Sequence, residues 1–259
     1  MKNGKILVTG TSGFIAKQLI KHLKHKNFNV ISTSQFLGNK SIYFDFNKFS
    51  KKDLNFPKFN YLVHLAYVRK NSYVEEKKIN YETSNFLFEL AKKNKAKIIY
   101  VSSFISSDTS LSNYGKIKYK IENLSNKYNT LILKPGLVYN SKSLEGLFGN
   151  IKKIILYFPI VFYPSGLNKT FYLCDIELLI HNINKYIIDN DETVFNKLNE
   201  EKKYNLKMLL YQIAKDNRKK TIFIPINYKI FFYILKFLEF MNFKSKLKSD
   251  SLMSLKKET

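Results

Sequence analysis

Cysteine is nearly absent from this chain. Its one thiol, Cys174, excludes an intramolecular disulfide and any cysteine-rich metal site, so a reducing, cytoplasmic compartment is expected. A signal peptide is not expected either, because the apolar run at residues 6–8 is too short for its core and a Gly-containing turn follows at once. Long apolar runs are missing as well. The strongest, NYKIFFYILKFLEFMNF at residues 227–243, has an apolar part shorter than the ~20 residues that span a bilayer, and Lys236 and Glu239 interrupt it. A buried or lobe-packing helix is expected there. Interfacial attachment, aided by Lys244, Lys246 and Lys248, is the alternative. Internal repeats and low-complexity linkers are lacking too.

Acidic residues are scarce: 20 Asp and Glu face 44 Lys and Arg, a formal net charge of +24. Such a field attracts phosphates, nucleic acid or anionic lipid. The lysines, however, are spread along the whole chain and travel with Asn, Ile, Phe and Tyr, the residues of AT-rich codons. A solvated lysine surface is the simpler reading, and no nucleic-acid partner is expected. An anionic substrate would still be drawn to such a surface.

What is present is the composition of a globular protein: 259 residues, 45% apolar and 15% aromatic. Strand-like runs at 5–8, 29–33, 41–44, 61–64, 97–102 and 130–133 alternate with helical patterns at 14–25, 81–94 and 114–128. That alternation implies parallel pairing with right-handed crossovers, hence an α/β fold with a doubly wound sheet. After Pro135 the texture changes. Apolar runs at 151–157 and 160–163 sit among scattered Gly and Pro, Asp175 reads as a helix start, and Thr193–Leu198 as one more strand. Beyond 204 the pattern is helical, with an extended piece at 221–226. The expected organisation is a nucleotide-binding domain at 1–140, its sheet completed by part of 170–200, and a smaller C-terminal substrate-binding lobe within 141–259.

Three short stretches carry chemistry. In VTGTSGFIA a strand breaks at Gly10 and Gly13 before a helix, presenting free backbone N–H groups and a positive helix end to an anion. Ala16 stands where helix and strand pack closely. In SNYGKIKYKIENL, Tyr114 and Lys118 are four apart and share one helix face. A nearby ammonium favours phenolate, which makes a tyrosine a usable acid/base, although an ordinary amphipathic helix has the same spacing. In KIIYVSSFISS, a strand ends on Ser102 and Ser103, at the edge where open α/β sheets bind ligands. A turn or helix cap is the competing reading.

Taken in order, these stretches resemble the extended short-chain dehydrogenase/reductases, the NAD-dependent epimerase/dehydratase family, from about residue 5 to 180. VTGTSGFIA is similar to that family's TGxxGxxG/A turn, FDF at 44–46 to the segment whose Asp meets adenine, and LVHLAY at 62–67 to its HLAA stretch. NYETSNFLFELAKK resembles the family's asparagine helix, VSSFIS followed by YGKIK its Ser and YxxxK, LKPGLVYN its RPGxVYG, and FYLCDIELLI its VDDLA segment. The resemblance implies a Rossmann-like fold and an NAD or NADP site formed by Gly10, Ser12, Gly13, Phe14, Ile15, Ser34, Asp45, Phe46, Leu65, Ala66, Tyr114, Lys118 and Pro135. It implies a catalytic set of Ser103, Tyr114, Lys118 and Asn80, the last in a structural or proton-relay role. The substrate implied is a nucleotide sugar, epimerised or reduced at C4, and a homodimer is compatible with it.

The departures narrow these expectations. The segment between Ser103 and Tyr114 is short, resembling a branch found among bacterial surface-polysaccharide enzymes. Phe104 and Ile105 stand where family dehydratases place an Asp-Glu pair, which disfavours 4,6-dehydration. The second strand ends without an acid to grip a ribose 2′-OH, so Ser32, Thr33 and Ser34 leave NAD versus NADP open. No metal is expected: His22 and His25 lack a carboxylate or thiol partner and are read as solvent-facing, and His64 fits the cofactor loop better than a ligand role. Cys174 is read as a buried small residue. Two alternatives stand beside the enzyme: a non-catalytic dinucleotide-binding scaffold, and a membrane-surface enzyme acting on a lipid-linked sugar.

Overall fold

The computed structural model describes residues 4–35, 41–48, 56–167, 169–189, 198–241 and 248–256. The strand expected at Thr193–Leu198 lies almost wholly outside them.

Six strands, β1 (Lys5–Thr9), β2 (Asn29–Ser34), β3 (Ser41–Tyr43), β4 (Tyr61–His64), β5 (Lys97–Val101) and β6 (Thr130–Leu133), form one sheet in the order β3-β2-β1-β4-β5-β6. Every pairing in it is parallel. Helices α1 (Phe14–His25), α2 (Tyr73–Lys93) and α3 (Asn113–Ser125) make the crossovers. Strand alternation divides the core into two layers. Ile6, Val8, Val63 and Ile99 point toward α1, with Leu19 and Leu23, whereas Leu7, Leu62, Ile98 and Tyr100 point toward α2 and α3, with Leu87, Phe88, Ile117 and Ile121.

The order reverses between β1 and β4. Their carboxyl ends therefore diverge into a crevice, the position where open α/β sheets take ligands.

Pro135 ends β6, and the chain leaves the sheet. β7 (Leu137–Tyr139), β9 (Phe171–Asp175) and β10 (Lys203–Tyr204) form a separate three-stranded sheet, and β8 (Ile160–Ser165) pairs in parallel with β11 (Ile222–Asn227). Among the described residues, 170–200 therefore adds no strand to the main sheet. It adds α5 (Ile176–Asp189), whose Leu179, Ile180 and Ile183 join the α1 layer. Asp175 Oδ1 accepts from Glu177 N at 2.8 Å and so starts that helix.

Helices α4 (Gly146–Tyr157), α6 (Leu206–Asp216), α7 (Tyr228–Phe240) and the short α8 (Ser249–Met253) complete the lobe. Phe148, Ile155, Tyr163, Leu173, Leu209, Leu210 and Ile213 form its core. The expectation of a buried helix near 227–243 is corrected in part. α7 packs against β8 and β11, yet only Leu235 of its residues is buried. Its stretch is apolar on nearly every side, and a helix resting on a two-stranded sheet covers only one of them.

Candidate active site

The glycine turn is shaped by contact with a neighbouring loop. Gly10 has φ +75°, and a Cβ there would stand 2.7 Å from Ala66 Cα in the loop after β4. Thr9 Oγ1 accepts from Leu65 N (3.2 Å) and Ala66 N (3.3 Å), which ties the two loops together. With both contacts accepting, the Thr9 hydroxyl proton goes to His64 Nδ1 at 2.8 Å. His64 Nε2–H then donates to Ser84 Oγ at 3.0 Å, and Ser84 donates to Asn80 O at 2.6 Å. This chain fixes a neutral imidazole. Burial, with the Lys118 charge adding to it, lowers the His64 pKa to about 3.

Gly13 precedes α1 as its N-cap, and the helix ladder starts with Lys17 N donating to Gly13 O at 3.0 Å. The N–H groups of Phe14, Ile15 and Ala16 precede that ladder, and a helix start of this kind suits an anion.

A cavity of about 730 Å³ runs from this turn into the C-terminal lobe. Gly10, Gly13, Phe14, Ile15, Leu65, Ser103, Tyr114, Lys118 and Pro135 all line it. Ser103 hydrogen-bonds the Tyr114 hydroxyl. Burial raises the Tyr114 pKa, while Arg69 and the Ser103 bond act to lower it. Lys118 Nζ donates to Val101 O at 2.8 Å and stands 5.7 Å from the Tyr114 ring centre. Burial brings the Lys118 pKa down to about 7, against the opposing pull of Glu122. Gly115 lets α3 close on the loop before it, since a Cβ there would meet Ile105 O at 2.6 Å.

Five residues of the expected set lie off this wall, and a sixth, Ser34, is not described there. Ser12 is exposed in the turn, and Ser34 ends β2 with its side chain outside the described atoms. Asp45 caps a 3-10 turn, its Oδ1 accepting from Asn47 N at 2.9 Å. Phe46 is buried and stacks on His64, at 6.2 Å between ring centres. Ala66 lies buried beneath Gly10. Asn80 spends its whole amide on backbone: Oδ1 accepts from Val68 N (2.9 Å), and Nδ2 donates to Val68 O (2.8 Å) and Glu76 O (2.7 Å). Asn80 is thus a clamp on the loop after β4, with no donor left for a proton relay. The hydroxyl of Ser102, which also lines the cavity, is bonded to Glu122, and Glu122 in turn pairs with Lys134 at 3.1 Å. Thr33 is buried, with its carbonyl accepting from Thr11 Oγ1.

His22 departs from its expected solvent position. It turns half inward beside Glu177 and His181 of α5, because α1 and α5 pack along that edge. No group of three or more His, Cys, Asp or Glu among the described residues could hold a metal. Cys174 is buried, and its thiol is pushed up to about 12, chiefly by burial.

Sequence reasoning missed Arg69, Tyr67 and Asp250. Arg69 Cζ lies 4.3 Å from the Tyr114 ring centre, and its Nη1 pairs with Asp250 Oδ2 at 2.8 Å. Asp250 also accepts from Asn113 N (2.6 Å) and Tyr114 N (3.3 Å), so the start of α8 caps the start of α3. The Tyr67 ring meets Tyr114 edge-on at 4.8 Å, and its hydroxyl donates to buried Glu76 at 2.6 Å. One signal was available. This lysine-rich chain has only two arginines, Arg69 and Arg218, and an arginine is chosen over lysine where a planar cation must stack.

The parallel sheet, its reversal crevice and the glycine turn define a Rossmann-like α/β fold. Residues 6–130 match the model of the NAD dependent epimerase/dehydratase family. Comparison with curated protein sequences returns no significant match. Among solved structures, MoeE5 in complex with UDP-glucuronic acid and NAD superposes with TM-score 0.70 at 16% identity, covering 86% of each chain. The UDP-glucuronic acid 4-epimerase of Bacillus cereus gives 0.69 at 17%, covering 97% of each. A dTDP-4-dehydrorhamnose reductase of Clostridium acetobutylicum gives 0.67 at 17%, covering 97% of this chain and 98% of that one. At such identities the likeness speaks for the fold.

Proposed function

We propose that this protein is an NAD(P)-dependent epimerase or 4-ketoreductase acting on a nucleotide-linked sugar. The observation that carries this reading is the shared cavity: one wall is the glycine turn with the α1 N-terminus, the next is Ser103, Tyr114 and Lys118. The turn fits a pyrophosphate, because the backbone approach at Gly10 leaves no room for a side chain and the first-turn residues Phe14, Ile15 and Ala16 line the same cavity. When bound there, a nicotinamide dinucleotide supplies the hydride acceptor or donor.

The protein's own residues manage the proton. Tyr114 in its phenolate form takes the proton of the sugar C4 hydroxyl as the C4 hydride departs, and returns it in the reverse sense. Ser103 donates to the reacting oxygen. Arg69, 4.3 Å from the ring centre, stabilises the phenolate that burial would otherwise disfavour. Lys118, with its pKa near neutrality, binds the nicotinamide ribose and exchanges protons with Tyr114. Arg69 and Lys169 are the cations besides Lys118 among the described lining residues, and a diphosphate in the cavity would be drawn to them.

Asp250 is the single carboxylate among the described lining residues, and it is held by Arg69 and the α3 N-terminus. Phe104 packs edge-on against Tyr172 at 5.0 Å. Among the described lining residues no free carboxylate therefore stands beside the tyrosine to remove a C5 proton, which favours epimerisation or reduction over dehydration. The test is Tyr114→Phe, assayed on UDP- and dTDP-hexoses and their 4-keto forms. Turnover lost with dinucleotide binding kept supports the reading. Full activity in the variant, or binding without turnover in the wild type, overturns it.

A further inference from the structure

The C-terminal lobe carries an apolar face that nothing among the described residues covers. In the β8/β11 ribbon, Ile160 is in register with Ile222 and Phe162 with Ile224, and all four project outward and are exposed. Val161 and Tyr163 alternate inward. The end of α4 adds Ile154, Tyr157 and Phe158 beside them. On α7, which packs on both strands, Ile230, Tyr233, Ile234, Phe237 and Phe240 follow helical spacing and are exposed, Phe240 by 82%. A soluble monomer rarely leaves so many large apolar residues in one neighbourhood.

Charge selects the occupant. Arg218, Lys219 and Lys220 lead into β11, and Lys229 and Lys236 punctuate α7; all five are exposed. The acid of α7, Glu239, is turned inward, where it accepts from Ser249 N at 2.6 Å and Ser249 Oγ at 3.0 Å. It also stands 3.9 Å from Lys236 Nζ, which leaves Arg218, Lys219, Lys220 and Lys229 as the cations not paired with it. An apolar face with a cationic rim, and with no outward acid on α4, β8, β11 or α7, complements an anionic bilayer. A second copy would meet it with the same cations, on a chain of net charge +24. No helix among the described residues is long and apolar enough to cross a membrane. At ~1.5 Å per residue, α7 is fit to lie in the interface plane. The cavity supports the same orientation, since Leu147, Ile154 and Phe162 belong both to its lining and to the exposed apolar set.

We infer that this face, formed by β8, β11, the end of α4 and α7, docks the protein on an anionic lipid surface with the cavity opening toward the membrane. The inference stands apart from the chemistry at Tyr114, and its test does not use turnover. The full chain is co-sedimented with phosphatidylcholine vesicles with and without phosphatidylglycerol, beside the variants F237S/F240S and K219E/K220E. Dinucleotide binding and the melting temperature are recorded for each, so a folding failure is seen separately.

Binding that needs phosphatidylglycerol, weakens with salt, and falls on the order of tenfold in either variant is the expected result. Three outcomes overturn it. One is no vesicle binding at low salt. Another is binding untouched by F237S/F240S, which assigns attraction to the general lysine surface. The last is a concentration-dependent dimer, seen by sedimentation velocity without lipid, that F237S/F240S dissolves; this assigns the face to a second copy.

Discussion

The two halves of the molecule spend their apolar residues differently. Around the six-stranded sheet, Ile6, Leu7, Leu62, Ile99 and Leu87 are wholly buried between helical layers. In the lobe, residues of the same kind, Ile160, Phe162, Ile222 and Phe237, stay in contact with solvent. The first half needs rigidity, because it must hold a backbone turn, a tyrosine and a lysine in one geometry. The second half has a smaller core and a two-stranded sheet, so its helix α7 has only one side to bury. Polar chemistry follows the same division. His64, Thr9, Ser84 and Asn80 form a closed network under the glycine turn, while the lobe-side cavity wall is mainly apolar.

The comparison breaks most sharply at Tyr114. Tyr114→Phe should lower kcat by about 10²- to 10⁴-fold, with dinucleotide affinity unchanged by fluorescence titration. Stability should separate the halves next. Ile99→Ala, in the fully buried core, should cost about 2–5 kcal/mol in urea unfolding. Phe240→Ser, on the exposed face, should change it by less than about 0.5 kcal/mol. Equal effects would erase the contrast.

The buried network adds a pH signature. The folded pKa of His64 is about 3, below its unfolded value, so its contribution is complete above pH ~6.5 and is lost as pH falls toward 3. His64→Gln should flatten that acid limb in thermal melts recorded between those values. The smallest expected effect is at Arg69. Its charge lowers the Tyr114 pKa, so Arg69→Met should raise it and move the rising limb of the pH–rate profile to higher pH. Arg69→Lys, without the planar stack, should restore only part of the shift.

Much of the sheet domain was legible because its signals are local. β4, β6 and α1 begin and end where the apolar runs do. α2 starts at Tyr73 rather than Tyr81, since its first turns are polar and declare themselves only through Ser72, which accepts from Glu75 N at 3.4 Å. The site was legible where backbone geometry or helical spacing carried it, as at Gly10, Gly13, Tyr114 and Lys118. It was not where long-range packing decides. Arg69 and Asp250 meet across 181 positions of sequence, and no periodicity records that contact. Asn80 matches its motif, yet its side chain is committed to backbone N–H and C=O groups. The exposure of α7 was hidden for the same reason: an apolar run states affinity for burial, while only the fold states whether a partner surface exists.

The most direct measurement of the central claim is a titration of the purified wild-type chain and Tyr114→Phe with NADH and NADPH, followed by a 4-keto nucleotide sugar. Saturable binding of one or both dinucleotides to both proteins is predicted, with hydride transfer in the wild type alone. Absence of binding by either dinucleotide, or equal hydride transfer in both proteins, would contradict it.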